Sequence, residues 1–503
     1  MKKYYYKCSN IKKCCADELQ EFIDNLPDDS VVYFVDKTLF LSKRIIVDNK
    51  NNIDFIGRKT KIISKFDPKY GFEKYSGVFS FSNCKNIIIK DFVFDTDKAV
   101  NATGKVKNID AKSKFLDVEI LKGCRFEDGS RIFATNSMNR AGSADYAVFS
   151  EKPSLYEKLD KNTIRIKYSD ELQGDLGNLY SGQKICIRFG TGNYLTLKNS
   201  MLIFQNCEDF RIKNIKILSS PGYASVIFPR CSNFYFNRYT VSKRMLDKRL
   251  MASNVDALHV FGITGNLTLK NCRFSGLGDD ALNIHSTAGT VVDVISNEEI
   301  KVKNNRFNIN LEKDWCKKGD KLAFYDCNFN LIGYALVEDY SEDTLKIESN
   351  ISVLKGYIVA NTEYYAKTTV KNTYIKNSRA RGLLLQTQGV RIKKCRFINI
   401  SMSAILMAPD IRRWHEVGPC DDVKIEKNIF VNCNFSNRVE NTGVITSNDS
   451  HDFSSNCVNK MHGEVRIKNN LFIGKSSPIV LKSVKEPIVN NNLFFGKYSK
   501  NQA

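Results

Sequence analysis

A short phrase recurs along this chain and constrains its fold more than any other feature. It runs apolar residue, Lys or Asn, one or two further polar residues, then a second short apolar run. The copies begin at Ile89-Lys90-Asp91, Ile212-Lys213-Asn214, Phe236-Asn237-Arg238, Leu269-Lys270-Asn271, Val370-Lys371-Asn372, Ile392-Lys393-Lys394, Ile425-Glu426-Lys427, Ile467-Lys468-Asn469 and Val489-Asn490-Asn491. Each reads as a strand, a tight polar corner and a second strand, and Asn suits the corner because it tolerates the left-handed conformation. Ile212 and Phe236 are 24 residues apart, and 22 separate both Val370 from Ile392 and Ile467 from Val489. Two longer steps, Phe236 to Leu269 and Ile392 to Ile425, are both 33. A coil of 22–24 residues with a loop added at particular turns predicts a right-handed parallel β-helix, in preference to a propeller or sandwich. Cys207, Cys231, Cys272, Cys395 and Cys433 recur near the corners, where stacked small side chains would fill the coil interior.

The segment Cys14–Leu26 has apolar residues at helical spacing and reads as a helix capping the first coil, as an open solenoid end requires. Two β-rich stretches lack the phrase and share a local pattern, Ser181-Gly182-Gln183-Lys184 in one and Lys318-Gly319-Asp320-Lys321 in the other. The expected organisation is therefore all-β: cap and first coils over 1–97, a small inserted β-barrel over 98–193, coils over 194–287, a second barrel over 288–362 and final coils over 363–503. A chain of 503 residues would ordinarily suggest several domains, but solenoids lengthen by stacking.

Composition narrows the function classes. No window approaches 18 apolar residues, so no membrane-spanning helix is expected. The start, Met1-Lys2-Lys3-Tyr4-Tyr5-Tyr6, leads into no apolar signal-peptide core, so the expectation is a cytoplasmic chain, or a secreted or periplasmic one already processed. Fifteen cysteines without CxxC pairs predict neither a disulfide framework nor a zinc site, and are read as reduced, buried thiols. The formal charge of +21 first suggests nucleic acid, anionic membrane or acidic polysaccharide. Lysines at the corners, such as Lys90, Lys213, Lys270, Lys371 and Lys393, spread much of that charge along the solenoid, and no nucleic-acid partner is expected.

The candidate chemistry lies between the insertions. Alignment on the coil period sets Asp256-Ala257-Leu258-His259 over Asp280-Ala281-Leu282-Asn283, 24 residues later. Adjacent parallel strands lie about 4.8 Å apart, so Asp256 and Asp280 stack with Asp279 beside them. Like charges this close raise at least one pKa, which lets one carboxyl stay protonated while another ionises, the division of roles that glycoside hydrolysis needs. Tyr223 falls one coil earlier in the same column, and Arg381 and Ser403 fall on later coils. Arg379 and Arg381 either neutralise the carboxylates or bind sugar hydroxyls. His259, Asn283 and His285 lie along the same strands within reach of a ligand, although a purely structural role suits either histidine as well. Trp414 and Glu416 share a loop, and an exposed Trp beside a carboxylate suits a sugar's apolar face and hydroxyl edge, while a buried anchor is the alternative. A calcium site at the acidic triplet is the structural alternative to catalysis.

The Asp256 segment, Gly276-Leu277-Gly278-Asp279-Asp280-Ala281-Leu282-Asn283-Ile284-His285, Arg379-Ala380-Arg381-Gly382 and Trp414-His415-Glu416-Val417-Gly418-Pro419 resemble glycoside hydrolase family 110, the α-1,3-galactosidases. The resemblance implies a β-helix with barrel insertions, cleavage of terminal α-1,3-linked galactose from glycans with inversion, no cofactor or metal, and a catalytic Asp256, Asp279 and Asp280. By analogy with polygalacturonases, Asp279 is expected to be the general acid, and Asp256 with Asp280 the bases that activate water. Two rivals stand beside this reading. One is a polygalacturonase-like hydrolase or lyase on acidic polysaccharide, which the positive charge favours. The other is a non-catalytic β-helical glycan binder, which need not gather three carboxylates one coil apart.

Overall fold

A computed structural model describes residues 1–10, 14–66, 78–110, 112–127, 132–135, 147–149, 156–167, 180–189, 200–303, 315–341, 343–348, 350–436, 441–449 and 460–496. The chain is a right-handed parallel β-helix. Each full coil lays down three strands, and the coils stack in register along three walls. On the first wall the register runs Val32, Phe55, Ile89, Ile212, Phe236, Leu269, Val370, Ile392, Ile425, Ile467, Val489. The period in the sequence is thus the coil period in space. Three rungs, at Tyr4, which pairs with Val32, at Val32 and at Phe55, precede the first copy of the phrase. The Phe55 rung escapes it because Ile53-Asp54-Phe55-Ile56-Gly57 turns through Arg58 and Lys59, both at positive φ, and has no Lys-Asn corner.

All nine copies of the phrase turn in the same way. Their third residues, Asp91, Asn214, Arg238, Asn271, Asn372, Lys394, Lys427, Asn469 and Asn491, have φ between 52° and 62°. The next position inward forms a polar ladder. Cys272 N–H reaches Thr373 Oγ1 (3.4 Å), Cys395 N–H donates to Asn428 Oδ1 (2.8 Å), Asn428 N–H to Asn470 Oδ1 (2.9 Å) and Asn470 N–H to Asn492 Oδ1 (2.9 Å). At these four corners the backbone donor is therefore met by the side chain of the coil above it, as buried polar groups require. On the second wall Phe397, Phe430, Phe472 and Phe494 stack at 4.8–5.2 Å between ring centroids.

Helix α1, Ala16–Asp24, buries Ala16, Leu19 and Ile23 over the first coils. Gln20 covers the third wall's first strand edge, accepting from Ile46 N–H and donating to Ile46 O, both at 2.8 Å. The expectation of wholly reduced cysteines is corrected beside this helix, where Cys8 and Cys15 form a disulfide. A seven-residue separation inside the cap makes no compact framework of the kind that spacing reveals. The corner cysteines Cys84, Cys207, Cys231, Cys272, Cys395 and Cys433 are free and buried, whereas Cys14 and Cys327 are exposed.

Both insertions are antiparallel and differ in closure. The first pairs seven strands in a path that runs from Ala147–Phe149 to Tyr156–Lys158, and among the described residues no ladder joins those two ends. The second grows out of the third wall itself. The strand that begins at Leu282 continues to Val294, and its far half pairs with Glu299–Lys303 and Ile358–Asn361. Lys321–Tyr325, Leu331–Ser341 and Thr344–Glu348 complete a closed ring of six. Its core, with Val291, Ile300, Trp315 and Phe324, is continuous with Tyr223, Phe228, Val255 and Phe261 on the outside of the coils. Gly182 and Gly319, from the shared sequence pattern, make equivalent turns at φ 95° and 87°.

Candidate functional site

The third wall carries the candidate site. Its strands alternate in the ordinary way of a β-strand: Leu258, Val260, Leu282 and Ile284 point into the coil core, and His259, Phe261, Asn283 and His285 point outward. The outward side chains are nevertheless buried, since the second barrel and the return loop at 410–417 cover that wall. Just before each strand the chain turns, and these turns stack. Ala224 N–H donates to Asp256 O, Ala257 N–H to Asp280 O and Ala281 N–H to Gly382 O. Tyr223, Asp256, Asp280, Arg381 and Ser403 therefore occupy one column, because Leu258, Leu282, Leu383 and Ile405 follow in register two residues later.

Close approach of the turns depends on glycine. A Cβ on Gly278 would lie 2.1 Å from Asn254 O, and one on Gly382 would lie 2.4 Å from Ala404 O. Asn254 is in turn held by the first insertion, donating to Val100 O (3.0 Å) and accepting from Asn101 Nδ2 (2.8 Å), with the Arg188 guanidinium on its carbonyl. Both insertions thus brace the site from outside the coil.

Within the column the three carboxyl groups present oxygens within 4.8 Å of one another. They are not equivalent. Asp256 and Asp280 are buried, whereas 29% of the Asp279 side chain is exposed. Asp256 Oδ1 accepts Asp280 N–H (3.0 Å) and its Oδ2 lies 2.8 Å from His259 Nδ1. Asp280 Oδ1 accepts both Arg381 N–H and Nε–H at 2.9 Å. Asp279 faces Arg379 at 3.3 Å and Arg381 at 3.8 Å. Both arginines are thereby engaged with carboxylates. Burial, with the charges of Asp279 and Asp280 added, pushes the Asp256 carboxyl well above its ordinary pKa. Burial also raises Asp280, and Arg381 opposes it.

A second cluster adjoins the first. The loop after Pro409 makes a one-turn helix, Ile411–Trp414, and Glu416–Val417 returns antiparallel onto Ser286 and Thr287. That return seats Glu416 against Asn283 Nδ2 (3.1 Å), Gln386 Nε2 (3.3 Å) and His285 Nε2 (3.7 Å). His285 and His259 meet through their Nε2 atoms at 3.2 Å, and His285 Nδ1 lies 2.7 Å from Ser286 O. Burial raises Glu416 to about 7, while it lowers His259 and takes His285 down to about 3. Tyr223 packs on His259 with centroids 4.8 Å apart, and Phe261 stacks on His285 at 5.8 Å. Trp414 is half-buried at the end of the short helix. Trp315 is the anchor type, buried and donating from Nε1 to Thr287 O (3.0 Å).

Sequence reasoning places Asp256, Asp279, Asp280, Arg379 and Arg381 in one group, and the structure brings those five together. His259, Asn283, His285 and Glu416 form the adjoining floor. Gln386 and Asn254 were missed. Gln386 follows Leu385 on the next coil, and the same column arithmetic would have found it. Asn254 is recognised through contacts with residues some 150 positions away, which no local pattern records.

A family model described as a right-handed beta helix region matches residues 315–499. Alpha-1,3-galactosidase B of Bacteroides thetaiotaomicron is 24% identical over 375 residues, covering 70% of this chain and 60% of that protein. Alpha-1,3-galactosidase B of Akkermansia muciniphila is 28% identical over 304 residues, 56% of this chain and 37% of that one. Alpha-1,3-galactosidase A of Shewanella woodyi is 23% identical over 414 residues, 77% and 65%. The chain resembles these proteins over much of its length and spans less than two thirds of each. Among solved structures, the Azotobacter vinelandii mannuronan C-5 epimerase A-module matches over 97% of this chain and 93% of its own, at 9% identity and a TM-score of 0.41.

Proposed function

We propose that this chain is a glycoside hydrolase that removes terminal α-1,3-linked galactose from glycans, acting through Asp256, Asp279 and Asp280. The observation that carries the reading is the inequality within the triplet: one carboxyl faces solvent and two are buried beneath it. Asp279 is the member a glycosidic oxygen can reach, and it serves as general acid. Asp280, which accepts two bonds from Arg381, holds the attacking water together with Asp256. Three carboxyls within 4.8 Å titrate as one system, and burial with the neighbouring charges raises Asp256 well above its ordinary pKa, so Asp256 is the resting place of the proton that Asp279 delivers as general acid. Asn283 and Glu416 supply a donor and acceptors for the hydroxyls of one terminal sugar and Trp414 an apolar surface, while His259 and His285, whose ring nitrogens are engaged with Asp256, Ser286 and each other, shape the floor beneath it. Resemblance to the named relatives supports galactose as that sugar.

Incubation with para-nitrophenyl α-galactoside, Galα1-3Gal and polygalacturonate tests this reading. Release of galactose that disappears in Asp279→Asn and Asp280→Asn is expected. Turnover of polygalacturonate alone, or full activity in both variants, would sink it. Inversion belongs to the proposal through the family resemblance, and it makes β-galactose the first product seen by proton NMR. The carboxyl oxygens lie closer than the roughly 6.5–9.5 Å usual between inverting carboxylates, so α-galactose appearing first would point to a covalent, retaining route instead.

A further inference from the structure

We infer that Asp256 and His259 hold one proton between them in the resting protein, placed there by a directed chain that starts at the Ser286 carbonyl and runs through His285. The direction follows from which atoms can donate. A carbonyl oxygen only accepts, so His285 Nδ1, 2.7 Å from Ser286 O, carries a hydrogen. His285 is buried and stacked on Phe261, an environment that holds an imidazole neutral, so its Nε2 is left as a lone pair. His259 Nε2, 3.2 Å away, must then be the donor in that contact. With its Nε2 protonated, His259 presents to Asp256 Oδ2 at 2.8 Å either a bare Nδ1, which needs a proton on Asp256, or a second N–H, which makes His259 cationic. Both arrangements leave one proton on the pair. The groups facing the pair select the first: Tyr223 and Phe261 pack on His259, Asp279 and Asp280 repel charge on Asp256, and Arg381 is committed to Asp280. Glu416, which faces both rings, favours a cation on His259, as Asp280 and Asp279 do, but burial outweighs the three and the ring stays neutral.

The consequence rests on the glycosidase reading. Asp256 enters the cycle as a carboxylic acid, so the base that first takes a proton from water is Asp280, and His285 is a positioning residue that acts through His259. The chain itself is tested on the ligand-free protein, so its failure leaves the glycosidase reading standing. The sequence has five histidines, few enough for 15N-histidine labelling with assignment by single substitutions. The expected spectrum at neutral pH shows His259 protonated at Nε2 and His285 protonated at Nδ1 with an unprotonated Nε2. His285→Gln, whose amide oxygen still accepts, is expected to keep the His259 tautomer. His285→Phe removes the acceptor and is expected to move the His259 proton to Nδ1. If that variant fails to fold, the wild-type spectrum decides. A His259 proton on Nδ1 alone, or unprotonated Nε2 on both rings with a stoichiometric divalent metal in the purified protein, would overturn the inference.

Discussion

Two polar columns run through this solenoid, each built by stacking equivalent positions of successive coils, and they behave oppositely. The corner column of Cys272, Thr373, Cys395, Asn428, Asn470 and Asn492 is neutral, and the backbone donors of Cys272, Cys395, Asn428 and Asn470 are met by the coil above. The site column of Tyr223, Asp256, Asp280, Arg381 and Ser403 buries charge, and its carboxyls are pushed up in pKa. The same geometry serves both. A ladder of amides gains a hydrogen bond at every step, whereas a ladder of carboxylates gains repulsion at every step unless a proton or an arginine intervenes. The coil stack thus gives stability where its repeating residue is neutral, and chemical potential where it is charged.

The comparison can be broken most sharply at Asp280. Asp280→Asn is expected to reduce galactoside turnover by about three orders of magnitude, within the range for loss of an acid–base group, while circular dichroism shows the β-helix intact. Arg381→Met removes the cation and leaves a buried carboxylate alone. It is expected to lower unfolding free energy by about 3–5 kcal/mol in urea, more than any single corner substitution. Asn428→Ala strips an acceptor from Cys395 N–H and donors from Ile392 O and Asn470 Oδ1, and a loss of about 2 kcal/mol is expected. Asn428→Cys should lose less, since Cys395 fills the equivalent place one coil earlier. The smallest effect belongs to Asp17→Asn, which opens the exposed ion pair with Lys43 and should leave the urea midpoint unchanged.

A titration separates the site, with its adjoining Glu416 and His285, from the corner column further. The folded pKa of Glu416, about 7, lies above its ordinary value, so its protonation favours the folded state: its contribution grows as pH falls through 7 and is complete below about 4.5. His285 runs the other way. Its folded value of about 3 means that stability is full above about 6.5 and is lost as pH falls from there toward 3. Between about 6.5 and 4.5 the two oppose each other, so Glu416→Gln should steepen the loss of stability on acidification, measured as urea midpoints at pH 7, 6 and 5. Asn428→Ala should leave the shape of that curve unaltered.

Much of this was legible in the residues. The left-handed corner at the third position of all nine phrases follows from a run of polar residues, mostly Asn and Lys, after an apolar residue. The stacking of Asp256 on Asp280 follows from a 24-residue interval equal to one coil. The early rung at Phe55 was hidden because its corner uses Arg58 and Lys59 in a wider turn. The Cys8–Cys15 bond was hidden because a single short-range pair leaves no spacing pattern among fifteen cysteines.

The residues alone specify the coil, its corners, its cap and the columns, because a repeating chain turns sequence interval directly into distance along the solenoid. The tertiary structure alone decided how those columns are surrounded. Glu416 reaches Asn283 across 133 residues, through a loop that doubles back onto Ser286 and Thr287. The second insertion closes into a ring whose core continues onto the outer side of the third wall, and the first insertion grips Asn254. These contacts have no period, so no interval in the sequence encodes them. They set the burial that distinguishes Asp279 from its two neighbours and that orders the hydrogen bonds from Ser286 to Asp256.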